Sequence, residues 1–164
     1  MDTSGPEVAS NETAGAVARP PLLFLATLLL GPLADRLLPL PIQFPQLGPL
    51  HWIMGSALVL IGLAIAVAGI RNFSGAATPV QGTKPTLRLV TTGIHGWSRN
   101  PIYAGMFLVY GGVGLVLQSP WIFAFALPLA LTIRYGVVAR EEAYLERRFG
   151  SIYRNYVASV RRWI

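Results

Sequence analysis

One short segment of the chain combines an arginine with a strong signal for the start of a helix. Residues 98–105 read Ser-Arg-Asn-Pro-Ile-Tyr-Ala-Gly, with Asn100 suited to the N-cap position and Pro101 to the first helical position. The free backbone N–H groups at such a helix start favour a carboxylate or a phosphate. Arg99 lies one residue outside the helix and can bind the same anion through two hydrogen bonds. The segment therefore predicts an anion site, with the ordinary, positively flanked start of a membrane helix as the alternative interpretation.

Acidic side chains are scarce, and three of the seven lie close together. These are Glu141, Glu142 and Glu146, which follow a long apolar stretch. Arg134 precedes Glu141 by seven residues, on the same helix face and near the end of that stretch. An ionisable group at membrane depth suggests a functional role, so Arg134 and Glu142 are our candidate catalytic residues. The alternatives are glutamates that are solvated or paired with arginines, and an arginine whose head group extends to the membrane surface.

Other residue types that could do chemistry are few. The chain has no cysteine, which excludes disulfides, thiolate catalysis and Cys-ligated metals. Its two histidines, His51 and His95, lie in dissimilar surroundings, so we expect no metal site. The glycine-rich residues 111–114 are not a dinucleotide-binding motif, because they lie inside an apolar stretch with no strand before them. We expect close helix packing there and at the small residues of the preceding apolar stretch, which are Gly55, Gly62, Ala66 and Gly69.

The composition indicates what kind of scaffold must position these groups. Of the 164 residues, 53% are hydrophobic and only 12% are charged, and the mean hydropathy is +0.53. Soluble domains carry about a quarter charged residues, so this chain is predicted to be an integral membrane protein of one domain. The net charge of +6 then suggests loops that face anionic lipid, and we expect no nucleic-acid partner.

Charged residues divide the sequence into apolar stretches. None occurs in residues 37–70 or 100–133, and each stretch exceeds the ~20 residues of one spanning helix. Four prolines between residues 39 and 49 interrupt the first stretch, and Ser119-Pro120 interrupts the second. We therefore predict an all-α membrane protein with four transmembrane helices, at residues 21–38, 50–70, 101–118 and 121–138.

The remaining segments differ in character from these apolar stretches. Residues 1–19 are expected to form a disordered tail rather than a signal peptide, since no small-residue cleavage site follows the first apolar stretch; residues 20–164 then form the domain. Basic residues concentrate in the loop 71–99 and after residue 139, which predicts that the loop and both termini face the cytoplasm. From Phe149 onward, apolar residues recur at helical spacing with arginines between them, which predicts a C-terminal amphipathic helix in the membrane interface.

Several short blocks, in this order and spacing, resemble one family of proteins. They are LVTTG (89–93), RNPIYAG (99–105), EEAYL (141–145), FG (149–150), YRNY (153–156) and VRR (160–162). The family is that of the integral-membrane methyltransferases, which includes isoprenylcysteine carboxyl methyltransferase and the phospholipid N-methyltransferases. The resemblance covers about residues 72–164, the half of the domain that it implies to hold the cofactor site.

The resemblance implies that S-adenosylmethionine binds at the cytoplasmic face, between the loop and the start of the third span on one side and the acidic C-terminal segment on the other. A lipophilic acceptor, either an isoprenylcysteine-like carboxylate or a phospholipid amine, would reach it from the bilayer. The implied cofactor-binding residues are Gly93, Ile94, His95, Arg99, Asn100, Pro101, Tyr103, Gly105, Glu141 and Glu142. The family often has histidine where Asn100 stands, which leaves the contacts to adenine and ribose open.

Two other functions stay open at this point. One is a non-enzymatic small membrane partner protein whose glutamates and arginines bind only lipid headgroups. The other is a different chemistry on the same scaffold. The expected location is the bacterial inner membrane, with membrane lipids as partners, and the sequence leaves the oligomeric state undetermined.

Overall fold

The computed structural model describes residues 19–42, 48–80 and 86–163, and every regular element in these ranges is a helix. The elements are α1 (Pro20–Leu37), α2 (Leu50–Gly75), a 3-10 turn (Gly93–Gly96), α3 (Pro101–Leu117), α4 (Pro120–Leu131), a π-helical segment (Thr132–Val138), α5 (Ala139–Phe149) and α6 (Ser151–Ser159). The predicted all-α membrane fold is confirmed. The predicted disordered tail, apart from Arg19, lies outside the described residues.

The four predicted apolar helices are all present, within a few residues of their expected bounds. Three helical stretches are long and apolar enough to cross a membrane, namely α1, α2 and the continuous helix Pro120–Phe149 that includes α4 and α5. The helix α3 is apolar but has 17 residues, slightly fewer than the ~20 of a full span. By length, the described residues therefore support three of the four predicted spans.

The helices α2 and α3 run antiparallel and pack through glycines. A Cβ added at Gly62 would lie 2.5 Å from the carbonyl oxygen of Gly105, and one added at Gly112 would lie 2.6 Å from that of Gly55. Backbones approach this closely only where side chains are absent, which is how small residues hold membrane helices together. The predicted close packing is confirmed at Gly55, Gly62 and Gly112, whereas a Cβ at Gly111 would meet no atom within 4 Å.

Asp35 joins α1 to α4 at the end of the bundle where α1 ends and α4 begins. Its carboxylate accepts hydrogen bonds from Ser119 Oγ and, at 3.3 Å, from the backbone N–H of Trp121. The indole Nε1 of Trp121 donates to the carbonyl oxygen of Leu38 at 2.7 Å. Ser119 Oγ also caps α4 by accepting from the backbone N–H of Ile122. These bonds join the two helices and explain an acidic residue in a mostly apolar helix.

The buried core of the bundle is apolar and aromatic. Its members are Phe24, Tyr110, Ile122, Leu129, Ile133, Val137 and Val138. Many other large apolar side chains of α1, α2 and α4 are exposed, as expected for helices whose outer surface faces lipid. The glutamates Glu141, Glu142 and Glu146 lie instead at the end of the bundle that carries α5 and α6.

At that end the chain makes a sharp turn and then crosses back over the bundle. Gly150, with φ +52°, ends α5 and starts α6. The amphipathic helix α6 buries Tyr153 and Tyr156. It ends at Ser159, earlier than the apolar periodicity predicts, because the next residue is extended. We call residues 160–163, which follow α6, the C-terminal strap.

Candidate active site

A cleft opens where the segment before α3 meets α5 and α6. It is lined by Leu89, Val90, His95, Arg99, Asn100, Glu141, Glu142, Leu145, Tyr153 and Tyr156. Five of these residues belong to the predicted site, namely His95, Arg99, Asn100, Glu141 and Glu142. The structure therefore brings together the arginine before α3 and the acidic pair at the start of α5, which lie about forty residues apart in the sequence.

The loop before α3 is fastened to the end of α2 by Asn72. Its amide Nδ2 donates to the carbonyl oxygen of Thr92 at 2.8 Å. Gly93 has φ +59°, and a Cβ there would lie 2.5 Å from Asn72 Nδ2. Glycine is therefore required both for the left-handed backbone and for the close approach. This gives Gly93, a predicted cofactor residue, a clear role in shaping the loop.

His95 is a buried, neutral member of the cleft wall. His95 is 3% exposed. Its ring packs edge-to-face with that of Phe73, and the two ring centroids are 4.9 Å apart. Burial lowers the pKa of His95 to about 4, so the imidazole is uncharged at neutral pH. Its Nδ1 lies 3.4 Å from Asn72 Nδ2, and its carbonyl oxygen accepts a hydrogen bond from the hydroxyl of Tyr156 at 2.6 Å. His95 thus links the loop to both α2 and α6.

The start of α3 agrees with the prediction in position but not in its side-chain contacts. Pro101 is the first helical residue and Asn100 is the N-cap residue, but the Asn100 side chain makes no capping bond. Instead its Nδ2 donates to the carbonyl oxygen of Arg162 in the strap at 3.0 Å. The backbone N–H of Arg99 likewise donates to the carbonyl oxygen of Arg161 at 3.0 Å. The strap therefore runs beside the predicted anion site.

Glu142 is paired with two arginines. Arg162 binds it through two hydrogen bonds, from Nε at 3.0 Å and from Nη2 at 2.7 Å. Arg99 Nη1 lies 3.3 Å from Oε1 of the same carboxylate. Two-pronged arginine–carboxylate contacts are among the strongest charged hydrogen bonds in proteins. Both oxygens of Glu142 are thus already engaged.

Glu141 differs from its neighbour because half of its carboxylate is free. The residue is 2% exposed, and its Oε1 accepts a hydrogen bond from the hydroxyl of Tyr103 at 2.9 Å. Among the described residues, two buried side-chain atoms lack any hydrogen-bond partner: Glu141 Oε2 and Arg99 Nε. Leaving a buried polar atom unpaired costs ~1–3 kcal/mol, and more for a charged group, so the cleft is suited to a ligand that pairs with both.

The two tyrosines of α6, Tyr153 and Tyr156, form part of the cleft wall. Burial, with the charge of Glu142 adding to it, raises the pKa of Tyr153 to about 12, so its hydroxyl stays protonated. Burial likewise raises the pKa of Tyr156 to about 12. Tyr144 fixes the chain before the loop, because its hydroxyl accepts from the backbone N–H of Thr86 at 3.1 Å. Tyr153 and Tyr156 therefore add no charge to the cleft.

Some predicted site residues do not line the cleft. Arg134 lies in the π-helical segment, is exposed, and holds its guanidinium 5.4 Å above the ring of Tyr135. Gly105 is pressed against α2 and serves helix packing. Ile94, half-buried, and the buried Pro101 are also absent from the lining, and Tyr103 contributes through its bond to Glu141.

Sequence reasoning missed three groups of residues that build this site. Asn72 is not among the predicted residues, although an amide two residues after a long apolar stretch is a usable signal. Tyr153 and Tyr156 were assigned to a stripe facing the membrane, because helical periodicity shows that a face is buried and not what buries it. Arg162 was treated as one of several basic residues, since nothing in its neighbourhood distinguishes it from Arg161. In each case the partner is distant in the sequence.

Comparison with known proteins agrees with this geometry. The model of the family described as phospholipid methyltransferase matches residues 50–152, more than half of the chain. The match runs from the start of α2 into α6 and includes both glutamates of the cleft. An uncharacterised protein of Haemophilus influenzae is 35% identical over 63 residues, which are 38% of this chain and the whole length of that protein. No solved structure matches the chain.

Proposed function

Because the chain belongs to the phospholipid methyltransferase family, we propose that it transfers a methyl group from S-adenosylmethionine to a lipophilic acceptor in the membrane. One observation carries the proposal. The Arg99 guanidinium and the Glu141 carboxyl group both line one cleft, and each keeps a buried polar atom without a hydrogen-bond partner. The amino-acid part of S-adenosylmethionine carries a carboxylate and an ammonium group, so the free donor and the free acceptor fit it.

The contacts also favour a particular assignment of the two charges. Arg99 and the start of α3 would bind the carboxylate, since a guanidinium and free helix N–H groups both favour an anion. Glu141 would bind the ammonium group or a ribose hydroxyl through Oε2. Of the two candidate glutamates, Glu142 is the less suited to this contact, because arginines already occupy both of its oxygens.

Methyl transfer mainly requires that the two reactants are correctly positioned and that water is excluded. When bound, S-adenosylmethionine supplies an activated methyl group on a positively charged sulfur. Methyl transfer is an in-line displacement, so holding the methyl donor and the methyl acceptor close together and correctly aligned provides much of the rate enhancement. The apolar lining from Leu89, Val90 and Leu145 limits water, which would otherwise stabilise the charged ground state.

The acceptor is lipophilic in this proposal because the bundle presents an apolar outer surface to the bilayer. A carboxylate acceptor needs no general base, whereas an amine acceptor must first lose a proton. The two acceptor classes, an isoprenylcysteine-like carboxylate and a phospholipid amine, share the same cofactor contacts. Arg134 takes no part in the proposal, since it lies outside the cleft.

A binding measurement tests the assignment. Glu141→Gln keeps the shape of the side chain and removes its charge, so binding of S-adenosylhomocysteine should weaken about tenfold to hundredfold, the equivalent of a charged hydrogen bond. Glu146→Gln is the matched control, because Glu146 is exposed and pairs only loosely with Arg154 at 3.8 Å. Isothermal titration calorimetry in detergent measures both. If Glu141→Gln binds like the parent, Glu141 does not contact the cofactor and the assignment is wrong. If the parent itself does not bind, a lipid-binding partner protein is the better interpretation.

We also propose that the cleft faces the cytoplasm, because basic residues concentrate at this end of the bundle. The chain has no cysteine, so single cysteines can be introduced as reporters. A cysteine at Ser159 should react with a membrane-impermeant reagent only from the cytoplasmic side, and one at Gln46, outside the described residues, only from the other side. Labelling of both from one side would contradict the proposed orientation.

A further inference from the structure

The C-terminal strap is held firmly beside the cleft. Two of its carbonyl oxygens accept hydrogen bonds from the segment before α3: that of Arg161 from the backbone of Arg99, and that of Arg162 from the side chain of Asn100, both at 3.0 Å. Trp163, the next residue, packs against the core of the bundle. The backbone of the strap is therefore fixed on both sides of Arg162, which directs the Arg162 side chain to one place.

The Arg162 side chain binds the carboxylate of Glu142, which Arg99 also contacts. Arg162 makes more of these contacts, with two hydrogen bonds of 3.0 and 2.7 Å to the two oxygens of Glu142. Arg99 contributes one ion pair of 3.3 Å, and its Nε stays without a partner although its side chain is only 11% exposed. A carboxylate has about four acceptor positions, and an arginine in a two-pronged pair takes one on each oxygen. Arg162 thus limits how many hydrogen bonds Glu142 can accept from Arg99.

We propose that Arg162 is a positioning residue, which keeps the Arg99 guanidinium available to a carboxylate-bearing ligand by occupying both oxygens of Glu142. Without Arg162, the freed Glu142 oxygen turns to Arg99 and competes with the carboxylate of the ligand. This inference rests on the proposed function, because the ligand is the amino-acid part of S-adenosylmethionine. The matched family segment ends at residue 152, so the strap and Arg162 lie outside it.

Two ligands separate this role from a general loss of structure. S-Adenosylhomocysteine carries the amino-acid carboxylate, and 5′-methylthioadenosine has the same nucleoside without it. Calorimetric titration of the full chain in detergent should show that Arg162→Gln binds S-adenosylhomocysteine about tenfold more weakly, the cost of one charged hydrogen bond, while binding 5′-methylthioadenosine like the parent. Arg154→Gln, which removes an exposed arginine of α6, is the matched control and should leave both affinities unchanged.

A double variant supplies the decisive comparison. In Arg162→Gln with Glu142→Gln no carboxylate competes for Arg99, so this protein should bind S-adenosylhomocysteine more tightly than Arg162→Gln alone. A double variant as weak as the single one would show that Arg162 contacts the ligand itself, and equal losses for both ligands would show a structural role; each result overturns the inference. If the parent binds but Arg162→Gln is unchanged, only this inference fails. If the parent binds neither ligand, the proposed function fails with it.

Discussion

The α2–α3 interface and the cleft are neighbouring parts of one bundle built in opposite ways. In the interface, paired glycines such as Gly62 and Gly105 remove side chains so that backbones meet. In the cleft, charged side chains converge, and Arg99 and Glu141 keep unpaired polar atoms. Among the described residues, the interface contains no unpaired buried polar side-chain atom, so its role is to hold the helices together. The cleft keeps two polar atoms without hydrogen-bond partners, and a ligand can pair with them.

The two regions are connected through α3. Its first residue, Pro101, lies two positions after Arg99, and Gly105 lies one turn later in contact with α2. The glycine packing and the cleft therefore share the start of α3. Variants that damage one region and spare the other test how independent the two are.

The largest expected effect comes from removing the wall of the cleft. A chain that ends at Phe149 lacks α6 and the strap, and with them Tyr153, Tyr156 and Arg162. We expect affinity for S-adenosylhomocysteine to fall more than about a hundredfold, since at least one charged pair and the aromatic wall are lost. The glycine interface lies in residues that this chain retains, so the shortened protein should still be recovered from the membrane fraction. Binding like that of the full chain would show that α6 is a passive anchor.

An intermediate effect is expected in the interface. Gly112→Ala places a methyl group 2.6 Å from the carbonyl oxygen of Gly55, so the helices must separate, at a cost of ~1–3 kcal/mol typical of overpacking. Gly111→Ala is the adjacent control, because a Cβ there meets no atom within 4 Å. Thermal unfolding in detergent should show a lower midpoint for the first variant only. Equal midpoints would mean that the close packing does not limit stability.

The sequence predicted the membrane half of the molecule well. Apolar runs, prolines and glycines are local signals, and they located all four apolar helices and the packing glycines Gly55, Gly62 and Gly112, although Gly105 was predicted to bind the cofactor. The length of α3 and the π-helical segment were not predicted, because apolar composition does not determine where a helix ends or how tightly it is wound. Tertiary packing decides both.

The cleft was predicted only in outline. Arg99, Asn100 and Glu141 were selected because residue type and helix position mark them. What each residue contacts could not be predicted, because the partners lie far away in sequence: Glu142 pairs with Arg162 and Asn100 with the strap backbone. The choice between Glu141 and Glu142 depends on these contacts alone, since the two side chains are chemically alike and adjacent in the sequence.

The smallest expected effect concerns His95. This residue lies in the cleft wall and is buried against Phe73 at the end of α2, so it contacts both regions. Because its pKa is about 4 in the folded protein and about 6.5 in an unfolded chain, the unfolded state binds the extra proton first as the pH falls. Stability due to the neutral imidazole is therefore complete above pH 6.5 and is lost as the pH falls towards 4. Between pH 7 and pH 5 the loss should be about 1–2 kcal/mol. His95→Gln cannot take up this proton, so the difference in unfolding free energy between parent and variant should shrink over the same range. A difference that stays constant with pH would show that His95 is not held neutral in the cleft wall.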